Sequence, residues 1–189
     1  MMDEKGRKCM SMIWFRWLFS LLFMSAMVTA QTSVQAPKPG PEHQRLEVFL
    51  GKWTQVGEAQ ASPYGPEAKL MSTDTYEWMP GGFFMLHRLE SRQGTVNFKA
   101  TEILGYDSRN RVYRSYIFDN FGNSGSYKVT QQGNTWISIG DSEVGGKLLK
   151  ERYTIVFRSP ATVFSLKAEY STDGAKWLPN FSVISTLEK

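Results

Sequence analysis

Beyond residue 52, apolar and polar side chains alternate along the chain with the period of two expected of strands that bury one face and wet the other. The alternating runs span 53–59, 70–79, 83–91, 96–106, 112–119, 126–131, 135–139, 148–158, 163–170 and 176–187. In the third run Phe83, Met85, His87 and Leu89 share one face; in the fourth, Val96, Phe98, Ala100 and Leu104 do. Turn formers separate the runs, among them Pro80-Gly81-Gly82, Gln93-Gly94, Asp107-Ser108-Arg109-Asn110, Asn120-Phe121-Gly122-Asn123, Gly133-Asn134, Ser159-Pro160 and Asp173-Gly174. Roughly ten short strands with short connections, and no long helical period, predict an all-β fold. Successive hairpins imply a meander. Its simplest closure is an antiparallel up-and-down barrel, which leaves no sheet edge exposed; a two-sheet sandwich is the alternative.

Ahead of the strands, Gly40-Pro41-Glu42 has the form of a helix start, since proline suits the first helical position and glutamate the positive helix end. Leu46, Phe49 and Leu50 give this short N-terminal helix an apolar side, and Gly51 can supply the left-handed residue that ends it. A helix this short is not stable alone, so its apolar side is expected to dock on the barrel.

Residues 1–30 have the pattern of a secretory signal peptide. Lys5, Arg7 and Lys8 form a positive start, residues 17–28 make an apolar stretch broken only by small or neutral residues, and Val28-Thr29-Ala30 offers small residues for cleavage near Ala30. An uncleaved anchor is the alternative, but Arg16 interrupts the apolar run below the ~20 residues of a span. Residues 31–40, rich in Pro, Ser, Thr and Gln, are expected to be a flexible linker, leaving 41–189 as the barrel domain. The expected location is secreted or periplasmic, with membrane contact only in transit through the leader. The single cysteine, Cys9, lies in the leader, so the remaining chain offers no disulfide, no thiol nucleophile and no cysteine metal site. Without the leader, 18 basic residues face 16 acidic ones, a net charge of +2 that gives no argument for nucleic acid as a partner.

Five motifs occur in order: Gly40-Pro41-Glu42-His43, Leu50-Gly51-x-Trp53, Pro80-Gly81-Gly82-Phe83, Leu104-Gly105-Tyr106-Asp107 and Asp173-Gly174-x-x-Trp177. With them the chain resembles a bacterial, lipocalin-like family of exported proteins of unknown function within the calycin superfamily, over most of residues 40–189. The resemblance implies a barrel of about ten strands and no particular activity. It also implies that Trp53 packs across the closed end of the barrel under the N-terminal helix, a structural role shared with Gly51; stacking on a ligand is the alternative for Trp53.

The candidate chemistry is sparse. His43, at the helix start, suits an exposed or capping role. His87 has apolar strand neighbours and is expected to point inward. Some calycin-like barrels bind haem through one histidine, so haem on His87 is an alternative to a satisfied core histidine; no cofactor is otherwise called for. Zinc needs three or four ligands, which two histidines without cysteine do not supply. Glu77, Glu90, Glu102, Asp119, Glu151 and Glu169 lie in strand runs and are expected mostly as solvent-facing partners of Lys and Arg. Residues 140–147 mimic a phosphate loop, but one residue too long and with Leu148 where Ser or Thr is needed, so a hairpin turn is expected. Asn180-Phe181-Ser182 fits a glycosylation acceptor.

The remaining signal is aromatic: 12 Phe, 8 Tyr and 6 Trp, enough to line an interior. The function expected is non-covalent carriage or sequestration of a small apolar or amphipathic ligand, without chemistry. His87, Tyr116 and Tyr153 are the candidate inward polar groups, with Tyr106, Tyr170 and Trp136 as further ligand contacts. Two alternatives stay open: a hydrolase or isomerase using His87 with a carboxylate, and a filled barrel acting through its outer surface in a protein complex.

Overall fold

A computed structural model of the chain describes residues 36–144, 146–158 and 160–189. The leader expected over 1–30, and half of the expected linker, lie outside the described residues. The alternation becomes ten strands: β1 (Gly51–Ala59), β2 (Ala68–Trp78), β3 (Phe84–Gln93), β4 (Val96–Asp107), β5 (Val112–Asp119), β6 (Ser124–Gln132), β7 (Thr135–Val144), β8 (Lys147–Arg158), β9 (Val163–Ser171) and β10 (Leu178–Leu187). Each pairs antiparallel with its sequence neighbour, and β1 also pairs with β10, so the sheet closes into a barrel and the sandwich alternative falls away. The segment that mimics a phosphate loop is the end of β7, a turn and the start of β8. The last strand begins later than its alternation suggests. Asp173 Oδ1 accepts the backbone N–H groups of Ala175 and Lys176 at 2.8 Å, which holds that segment off the ladder.

The N-terminal element is α1 (Pro41–Gln44), tightening into a 3-10 turn over Arg45–Phe49. Its start is capped by His43, whose Nδ1 accepts the Gly40 N–H at 3.1 Å. His43 is buried rather than exposed, edge-on to Phe83 and Tyr106. Gly51 has φ +112°, the left-handed conformation expected where the helix hands over to β1. Leu46 and Phe49 drop into one end of the barrel, where Trp53 is fully buried and donates Nε1–H to the Phe49 carbonyl at 2.7 Å.

Around them Tyr76, Tyr113, Trp136, Phe157 and Phe164 complete an aromatic plug. Phe49 stands 5.1 Å from the rings of both Trp136 and Phe157, and Trp53 stands 4.8 Å from Phe164. Each buried ring contributes about 2–3 kcal/mol of apolar burial. On the outer face, cross-strand pairs such as Glu90 with Lys99 and Asp141 with Lys150, both at 3.0 Å, sit in solvent as expected, each worth at most about 1 kcal/mol.

A polar belt inside the barrel

Above the aromatic plug the inward positions change character. Alternation from Trp53 brings Gln55 inward on β1, and alternation from Tyr76 brings Asp74 and Ser72 inward on β2. His87 follows Met85 on β3, Glu102 lies between Ala100 and Leu104 on β4, and Ser115 follows Tyr113 on β5. These side chains meet. Asp74 accepts from Gln55 Nε2 at 2.6 Å and from Ser72 Oγ at 2.5 Å. His87 Nδ1 lies 2.8 Å from Glu102 Oε2, and Nε2 lies 3.2 Å from Asp74 Oδ2 without the alignment of a hydrogen bond. Tyr76 stacks flat on the imidazole, centroid to centroid 3.9 Å.

Burial by itself would push the imidazole toward its neutral form. The two carboxylates outweigh it and raise the His87 pKa from 6.5 to about 9. Burial likewise works against a charged Glu102, but contact with the imidazolium and with Ser115 holds its carboxyl below the ordinary range. His87 therefore sits in the barrel as a cation between two acids. Both ring nitrogens face carboxylates, an arrangement of an ion triad rather than of an open metal ligand.

A second cluster continues the belt toward the other end. Glu151 on β8, 5% exposed, accepts hydrogen bonds from Tyr127 on β6 and, at 2.6 Å, from Tyr64 in the β1–β2 connection. The connection is tied to β10 by Ser62, whose hydroxyl donates to Asn180 at 3.0 Å; Asn180, the glycosylation candidate, is thereby buried. Gly140 on β7 makes the Tyr127 contact geometrically feasible: a Cβ there would stand 2.5 Å from Tyr127 Cδ1. Tyr153 lies edge-on to Tyr127 at 5.6 Å, and Tyr170 edge-on to Tyr64 at 6.0 Å. Burial first, and then the negative charge of Glu151, raise the pKa values of Tyr64, Tyr127 and Tyr153 above the usual phenol range.

Several inward positions keep accessible surface. Ile155 and Leu166 pair across β8 and β9 directly above Phe157 and Phe164, yet both are only half-buried, as is Ile117 on β5. Glu102 sits in a desolvated setting at mid-barrel while 21% of its side chain stays accessible. Ser185 Oγ is buried without a hydrogen-bond partner, while His87 Nε2 and Ser115 Oγ face Asp74 and Glu102 without the alignment of a full hydrogen bond.

Of the residues singled out in the sequence, His87, Tyr153 and Tyr170 lie on the inner face. Trp136 is 3% exposed within the plug, under Phe49 and Tyr113, and is core. Tyr106 is half-buried at the plugged end between His43 and Tyr113. Tyr116 requires correction as an inward polar group: it is 47% exposed and points outward, because Tyr113 and Ser115 set the buried phase of β5 and Tyr116 is out of step with them. There it lines an outer groove of about 410 Å3 with Phe83, Phe84, Tyr106, Arg109 and Arg114.

The sequence does not single out Asp74, Gln55, Tyr64 or Tyr127, and Glu102 and Glu151 are exceptions to the mostly solvent-facing strand carboxylates. For Asp74 and Glu102 a signal existed, since each is in phase with buried apolar neighbours.

Comparison with known proteins agrees with this architecture. A family model described as "Protein of unknown function (DUF1579)" matches residues 38–181. The crystal structure of Rv2717c from M. tuberculosis superposes with a TM-score of 0.58 at 12% identity, covering 79% of this chain and 99% of the other. An S-type phycobiliprotein lyase, CPES from Guillardia theta, superposes with a TM-score of 0.50 at 11% identity, covering 80% and 99%. At such identities the likeness is one of fold alone. No curated protein matches the chain.

Proposed function

The chain belongs to the DUF1579 family of proteins of unknown function, and from its own geometry we propose that its barrel is a non-covalent carrier of a small amphipathic molecule. The observation that carries this reading is the surface that Glu102, Ile155 and Leu166 keep accessible on the inner face of a closed barrel. Apolar burial supplies affinity in such a site, and a few convergent polar groups orient the ligand. The aromatic plug closes one end, so the ligand enters past the Tyr64 connection. That a barrel of this fold is named a phycobiliprotein lyase supports small-molecule handling as a use of the architecture. An acid-base role is the weaker reading, because His87 spends both nitrogens on carboxylates.

Native mass spectrometry of protein purified from its own host tests the proposal. The expected spectrum contains a bound small molecule that is released on denaturation. A bare polypeptide mass, together with no uptake of an environment-sensitive amphiphilic dye, overturns it.

Residues 1–30 act, in this reading, as a leader removed near Ala30, so that the carrier works outside the cytoplasm. N-terminal sequencing of the protein from its host should begin at Gln31; retention of residues 1–30 would overturn export by cleavage.

A further inference from the structure

Buried carboxylates on the two faces of the barrel are treated differently. Glu169, 8% exposed on the outer face, is held by Arg152 at 2.7 Å and by Lys167 at 2.7 Å. Glu151, 5% exposed on the inner face, has hydroxyl partners only, and among the described residues no Lys, Arg or His reaches it within 4.0 Å. Tyrosine hydroxyls satisfy its lone pairs but not its charge, and an uncompensated buried charge is costly. The imbalance extends along the inner face. Asp74, Glu102 and Glu151 point inward against one cation, His87, and that cation is already placed between Asp74 and Glu102. Every described Lys and Arg is exposed except Arg152, which is engaged with Glu169 on the outer face.

We propose that the ligand of this cavity is cationic: a protonated amine on an apolar or aromatic body, its ammonium group seated against Glu151. The proposal rests on the carrier reading and adds the ligand's charge. Four tyrosines surround that position, Tyr64 and Tyr127 through their bonds to Glu151 and Tyr170 and Tyr153 through ring contacts with those two. Aromatic faces stabilise an alkylammonium that has lost its water. An anionic ligand, by contrast, would face three carboxylates and find the one imidazolium occupied. A carboxylic amphiphile is therefore excluded on the same geometry that admits an amine.

Four probes with one tail and different heads test this on the full chain by calorimetric titration at neutral pH: octylamine, octyltrimethylammonium, octanol and octanoate. The two cations should bind tighter than octanol by about tenfold or more, with octanoate weakest. Glu151→Gln, which keeps size and hydrogen-bonding capacity, should shrink the gap between octylamine and octanol to about twofold or less. The wild-type series alone decides the question should that variant fold poorly. If octanol and octanoate bind as well as the amines, charge selection is wrong while carriage stands. If none of the four binds, carriage and charge selection fall together.

Discussion

His87 and Glu102 stand directly opposite one another on β3 and β4, with His87 Nδ1 2.8 Å from Glu102 Oε2 in the middle of the barrel. The pair converts the one inward histidine into a fixed cation, and Asp74 on the adjacent strand closes on its other nitrogen at 3.2 Å. A buried pair of this kind contributes less as an attraction than it costs when broken, since removing either partner strands a charge in a desolvated site.

The first prediction concerns pH. The His87 pKa in the folded state is about 9, above its unfolded value of 6.5, so its contribution to stability is complete below pH 6.5 and is lost as pH rises through about 9. At about 1.4 kcal/mol per unit the loss amounts to a few kcal/mol. Tyr64, Tyr127 and Tyr153, also raised in the fold, extend the decline above pH 10. Glu102, lowered in the fold, adds a decline as pH falls below 4.5. Urea melts from pH 6 to pH 10 should show the alkaline fall, and His87→Gln should flatten its portion between pH 6.5 and 9. An imidazole NMR titration with a midpoint near 6.5 would refute the buried ion triad.

Gly140→Ala tests the hydroxyl cluster around Glu151. The added Cβ would press on Tyr127 Cδ1 at 2.5 Å and on the Ser126 backbone, so either the ring or the strand must move. Overpacking of this kind costs about 1–3 kcal/mol. The loss should be partly recovered in Gly140→Ala/Tyr127→Leu, which removes the ring, giving a non-additive cycle. Strict additivity would show that Gly140 and Tyr127 are not coupled as drawn.

The barrel was legible in the chain because alternation and turn residues repeat consistently from Trp53 to Leu187, and closure follows from their number. The facing of Asp74 and Glu102 was legible in principle, from phase alone. Their convergence on His87 was not, because a partner depends on the exact turn. Gln93 pairs with Val96, so the turn is Gly94-Thr95 and His87 meets Glu102. Had the turn been Gln93-Gly94, as the composition suggests, His87 would have met Ala100 instead. Tyr116 failed for a related reason: β5 carries aromatic rings in both phases, at Tyr113 and at Tyr116 and Phe118, so hydrophobicity does not choose between the faces. Tyr64 sits in a connection and reaches a carboxylate 87 residues further along the chain, a contact that no local pattern encodes.

Tyr116 and Tyr153 separate the two faces of the barrel. Tyr116→Ala removes an outward ring, 47% exposed, and should change stability by no more than about 0.5 kcal/mol. Octylamine affinity should stay within the error of the titration. Tyr153→Ala removes an inward ring packed against Tyr127 and Phe181 and should both lower the melting temperature and weaken octylamine binding several-fold. The reverse ranking would move the ligand to the outer groove beside Tyr116.

Trp53 settles whether the plugged end is structure or binding surface. Its indole is fully buried, packs tilted against Phe164 at 4.8 Å and edge-on to Phe157 at 6.0 Å, and donates Nε1–H to the carbonyl that ends the 3-10 turn. Trp53→Phe leaves the Phe49 carbonyl without that donor and opens a space where the indole's second ring was. The lost hydrogen bond and the void together should cost about 2–4 kcal/mol. The helix is held to the barrel through this end, so backbone amides of residues 41–50 should lose exchange protection before those of the strands. Octylamine affinity at a temperature where the variant is folded should be unchanged, since Glu151 and its tyrosines lie beyond the plug. A variant that keeps its stability but loses affinity would place the indole against the ligand and the cavity at the wrong end of the barrel.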